Sequence, residues 1–126
     1  MTIDWSNLNY VAIIIGGFLY MIYGTIYYSI LLSNKKEQQT KGPLKYIYSV
    51  IIAFISSFFV AILINAAGAD TLLQGALIGF ILGLTIKMVY VKNMLFGLIS
   101  KKSTFIAICD HVVIFTLLGA LHGWLS

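Results

Sequence analysis

Three ionisable residues, Lys87, Asp110 and His111, lie inside otherwise apolar runs of this chain. Charged groups at such positions are costly in a bilayer and usually face protein or water. With the turn between their two segments centred near Leu98-Ile99, Lys87 and His111 are equally far from it on antiparallel helices. Asp110 falls about six residues inside its segment, or ~9 Å at helical rise. Similar depth predicts a Lys87–Asp110 ion pair, with Tyr90 and Asn93 nearby. Such a pair is either a buried clamp or a site for an ion, a proton or a small polar substrate. As sequence neighbours on a helix, Asp110 and His111 diverge by ~100° and make a poor catalytic dyad.

A second polar feature is a line of tyrosines. Ala12, Gly16, Tyr20, Tyr23 and Tyr27 fall within about 40° of one helical face. Tyr20 and Tyr23 are too deep to anchor at an interface, so their hydroxyls need partners in a bundle. The line is either interhelical packing or the polar lining of a cleft. His111 and His122 share a face but stand ~16 Å apart, too far to bind one metal together. His122 reads as an interfacial polar residue. No phosphate loop, zinc motif, haem signature or nucleophile–base pair occurs. No catalytic residue, metal or cofactor is expected.

The elements that must position these residues are four hydrophobic spans, at about 9–32, 44–66, 72–96 and 104–125. Each is long enough to cross ~30 Å of hydrocarbon. They are continuous rather than alternating, so they are helices. Gly42-Pro43 opens the second span. Gly68-Ala69-Asp70 makes a tight turn, and Thr71 with Gln74 has capping-box spacing. Ser103 suits an N-cap for the fourth span. The fold class is an all-α membrane protein, one domain of four antiparallel transmembrane helices.

Composition agrees. Of 126 residues, 60% are hydrophobic and only 10% charged, with mean hydropathy +0.97. Soluble domains run near 45–50% and about 25%. Disorder, a disulfide scaffold and nucleic-acid binding are excluded; Cys109 stands alone and reads as a small buried hydrophobe. The net charge is +4, with eight basic residues, all Lys. Lys35, Lys36, Lys41 and Lys45 lie in or beside the first loop, Lys101 and Lys102 in the third, and Lys87 and Lys92 toward that same end. The positive-inside rule then places loops 33–43 and 97–103 in the cytoplasm and both termini outside the cell membrane. Trp5 and Trp124 fit the outer interface, and Tyr27, Tyr28, Tyr46, Tyr48 and Tyr90 the inner one.

Gly75, Gly79 and Gly83 step by four along the third span, and Gly119 and Gly123 along the fourth. Small residues so spaced let helices approach closely, within one subunit or between two. A homo-oligomer, with a dimer favoured, is expected, and a larger membrane partner is an alternative.

Over nearly its whole length the chain resembles the domain-of-unknown-function family 1761. The resemblance is carried by Ile26-Tyr27-Tyr28-Ser29, the run from Thr71 to Gly79, Asn93-Met94-Leu95-Phe96, and His111 near the start of the last span. It implies four spans and points to Tyr28, Gln74, Asn93 and His111, without supplying a reaction. Gln74 stands where the family commonly has Glu, and Asp110 precedes His111. The expected function is an oligomeric transporter or channel-like protein for an ion or a small polar or amphipathic substrate. The alternative is a non-catalytic membrane subunit, with an enzyme least favoured.

Overall fold

A computed structural model of the chain describes residues 4–31 and 42–126. A short 3-10 turn, Trp5–Asn7, leads into four helices: α1 (Tyr10–Leu31), α2 (Leu44–Ala67), α3 (Leu72–Leu95) and α4 (Lys101–Leu125). All four are long and apolar enough to cross a membrane, which makes this a multi-pass membrane protein. Lys35, Lys36 and Lys41, and most of loop 33–43, lie outside the described residues.

Local chemistry sets the ends of the helices. The Asn9 side chain accepts from the Ala12 amide and so caps α1. α2 ends at Gly68, whose φ of 71° is left-handed, and the Ala69 amide returns to the Ile64 carbonyl. Only glycine takes that conformation without steric cost. The Thr71 hydroxyl caps α3 by accepting from the Gln74 amide, and Gln74 Oε1 accepts from the Asp70 amide at 3.0 Å. Gln74 is therefore committed to a cap. α4 starts earlier than expected: Ser100, not Ser103, is the cap, and Ser103 supplies the amide that Ser100 accepts. With serine at both positions, the one that lies beyond the Gly97 turn takes the extended conformation a cap needs.

The bundle is built on α4, with α1 and α3 both packed against it and α2 against α1 and part of α4. α3 buries only Gly75, Gly79 and Gly83. A Cβ on Gly75 would meet the Gly119 carbonyl oxygen, and one on Gly79 the Phe115 carbonyl oxygen. On Gly83 it would come within 2.8 Å of Val112 Cα. Gly119 and Gly123 face back against the Gly75 and Thr71 carbonyl oxygens. The glycine stripes are thus filled inside one chain and leave no open stripe for a second copy. Where α1, α2 and α4 meet, Val60, Ile64, Ala69 and Leu118 form the main apolar cluster. Leu8, Ile13 and Ala61 form a second near the termini.

Candidate functional site

Asp110 is the only acid inside a span and is 3% exposed. It lies nine residues into α4, about 14 Å from its start at helical rise. The Tyr28 hydroxyl from α1 donates to its Oδ2 at 2.5 Å. The Nδ1 of His111 is 3.9 Å from the same oxygen. Nδ1 also lies 2.7 Å from the Ala107 carbonyl oxygen, which can only accept, so Nδ1 carries the proton. Oδ1 of Asp110 has no hydrogen-bond partner among the described residues.

Aromatic rings surround this carboxylate. The His111 ring is 5.4 Å from Tyr90 of α3 and stacks on Phe115 at 6.4 Å. Tyr20 of α1 meets Phe115 edge-on at 6.3 Å. The hydroxyls of Tyr20 and Tyr90 have no hydrogen-bond partner among the described residues. Over about 12 Å of the bundle, α1, α3 and α4 thus bring together a carboxylate, an imidazole and three phenols.

The other predicted residues divide. Tyr27 donates to the Ile106 carbonyl at 2.8 Å and is stacked on Tyr23 at 5.6 Å. Tyr27 thus belongs to the α1–α4 packing beside the site, whereas Tyr23 stacks only within α1 and its hydroxyl, expected to find a partner in the bundle, has none among the described residues. Gln74 is at the opposite end of α3 in its cap. Asn93 is half-buried at the end of α3, where its carbonyl accepts from the Leu98 amide.

Lys87 does not pair with Asp110. It is exposed on α3 and makes no ion pair among the described residues. Depth was matched, but direction was not. Val112 faces Gly83 of α3, and two residues on a helix turn the side chain by about 200°. Asp110 therefore points toward α1, where Tyr28 reaches it. Lys87→Met should change stability by no more than about 0.5 kcal/mol. In a double-mutant cycle with Asp110→Asn the two effects should simply add.

His122 corrects a second expectation. It is 3% exposed, inside the bundle rather than at an interface. Its Nε2 is 3.0 Å from Ser57 Oγ, which lies 2.8 Å from the Ile13 carbonyl oxygen. Gly16 makes room: a Cβ there would collide with Ser57 Oγ and sit 3.2 Å from His122 Nε2. A mid-span serine, a glycine and a histidine on separate helices give no spacing signal, so sequence reasoning missed the group. Gly16→Ala should cost about 1–3 kcal/mol of overpacking. A thermal unfolding assay in detergent would read it, and Ser57→Ala, which frees the space, should restore part of the loss.

Among the described residues, no group of three or more His, Cys, Asp and Glu side chains is placed to hold a metal ion. No curated protein and no solved structure matches the chain. The model of the family described as "Protein of unknown function (DUF1761)" matches residues 11–123. That match takes in all of the Asp110 level and both members of the Ser57–His122 contact, and the chain belongs to the DUF1761 family.

Proposed function

We propose that this protein is a small membrane transport protein that binds a cation, inorganic or ammonium, at Asp110. The observation that carries the reading is a carboxylate 3% exposed within a membrane span, with no lysine paired to it among the described residues and only the His111 imidazole, 3.9 Å away, as a basic neighbour. Buried charges are normally paired, and one left open is a site by default. Oδ1 of Asp110 has no hydrogen-bond partner among the described residues and can accept a cation. Lysine counting directs the α1–α2 and α3–α4 loops to the cytoplasm. In a Cys109→Ser background, Lys101→Cys should then label from the cytoplasm and Asp70→Cys from outside.

The test is flux of potassium, sodium and methylammonium into proteoliposomes. Flux that is present in the wild type and lost in Asp110→Asn supports the reading. Absence of flux for all three, with no cation retained in native mass spectra, overturns it. A second reading, a membrane subunit packed on a second copy or a larger partner, is favoured by α3. That helix leaves Leu73, Leu77, Phe80, Ile81 and Met88 exposed. Cross-linking from Leu77→Cys in the Cys109→Ser background would detect such a neighbour.

A further inference from the structure

A cavity of about 30 Å³ lies above His122 at the end of the bundle that carries the termini. Its polar lining is Asn7, Asn9, Asn65, His122 and Ser126, and Ala61 and Ile64 are part of its apolar wall. Such a volume exceeds the ~10–15 Å³ that one water needs, and water settles where two to four polar partners converge. Ser57 fixes which ring nitrogen of His122 faces it. The serine has one proton, and its 2.8 Å contact with the Ile13 carbonyl is attractive only if the proton lies there. Ser57 must therefore accept from His122, so Nε2 carries the hydrogen. Nδ1 is left with a lone pair. It has no partner among the described residues, yet no fully buried side-chain nitrogen there lacks one. Nδ1 must therefore touch open space, which the cavity supplies.

Below this point the path is closed. Leu118 and Ile114, each 0% exposed, fill the stretch of α4, about three turns long, between His122 and Asp110. α1 and α2 present Gly16, the Ile13 carbonyl and Ser57 to the imidazole, and no titratable side chain. Tyr20 lies one turn farther along α1. At the mouth, the Asp4 carboxylate is occupied by Ser6 and Asn7.

We propose that the cavity holds one water hydrogen-bonded to Nδ1 of His122, and that this nitrogen is a proton-binding site fed through the cavity. A proton arriving there enters the Nδ1 lone pair while Nε2–H stays on Ser57, giving an imidazolium with both nitrogens bonded. The site is independent of the cation reading at Asp110.

Solid-state 15N NMR on the full chain in liposomes tests it, with His111 assigned from His111→Asn. At about pH 8 the His122 ring should show a protonated Nε2, a bare Nδ1 and magnetisation transfer from water to Nδ1. Acidification to about pH 4 should add a proton at Nδ1. Ala61→Val, which fills the cavity wall, should abolish the water transfer and slow or remove that response while Nε2 stays on Ser57. The proposal is overturned by an Nδ1–H tautomer at the higher pH, by a dry Nδ1, or by no proton gained. An unchanged response in Ala61→Val overturns the route. Should that variant not fold, the wild-type tautomer and water contact decide alone.

Discussion

Gly119→Leu is expected to detach α3 from the rest of the protein. The Gly119 Cα faces the Gly75 carbonyl oxygen and the Gly79 amide nitrogen, so even a methyl meets backbone on both sides. Backbone cannot rotate away as a side chain can. Overpacking a methyl costs about 1–3 kcal/mol when neighbours adjust, and here the only adjustment is to move a helix. α3 has no second attachment of comparable extent, since its buried residues are the three glycines of this one contact. Gly119→Ala should therefore lower the unfolding midpoint clearly, and Gly119→Leu should separate α3. In a Cys109→Ser background, a short thiol cross-linking trap between Tyr90→Cys and His111→Cys, which replace rings 5.4 Å apart across α3 and α4, reads the separation. The same trap forming at the wild-type rate in Gly119→Leu would show that the contact does not hold α3.

The double substitution Tyr28→Phe with Asp110→Leu is expected to keep or raise stability while abolishing cation binding. Tyr28→Phe alone removes the donor to a carboxylate with no other full-strength partner. Interhelical hydrogen bonds in membranes average about 0.6 kcal/mol and reach about 1.7. A charged acceptor puts this one toward the upper figure. Replacing both polar groups removes the desolvation penalty as well as the bond, and buried ionic groups replaced by apolar ones are often neutral or gain about 1–4 kcal/mol. A stable, inert double variant would mean that the carboxylate is kept for a ligand. A double variant less stable than Tyr28→Phe would mean that Asp110 is kept for folding.

Hydropathy located four spans because the bilayer imposes a length on each. The cap at Thr71 and Gln74 and the turn at Gly68 were legible because each depends on neighbours within four residues. Asp110 and His111 stood out because an ionisable group in lipid is exceptional whatever surrounds it. The partner of Asp110 was not legible from depth. Lys87 and Tyr28 lie on different helices at opposite azimuths about α4, and only the packing of glycines on Val112 and Phe115 decides which one Asp110 faces. The family resemblance pointed to Tyr28 and His111, which the structure joins through Asp110, and also to Gln74 and Asn93, which it leaves at the ends of α3. The Ser57–His122 contact lay beyond reach because two parallel, non-consecutive helices supply it.

The two halves of the molecule are joined by different forces. Among the described residues, α3 and α4 meet through apposed backbone, with no side-chain hydrogen bond between them. The cross-helix side-chain hydrogen bonds to α4 run instead from α1 and α2: Asn9 to the Leu125 carbonyl, Tyr27 to the Ile106 carbonyl, Tyr28 to Asp110, and Ser57 with His122. Both contacts are short-ranged, since a gap of about 0.5–1 Å already forfeits a quarter to a half of a dispersion well, but hydrogen bonds also demand a particular direction. The chain therefore behaves as two prefabricated hairpins latched along a directional seam. Fragments 1–67 and 68–126, made separately in one membrane, should find each other and restore the latch. Any working motion should follow that seam, with α3 riding on α4 as its passenger.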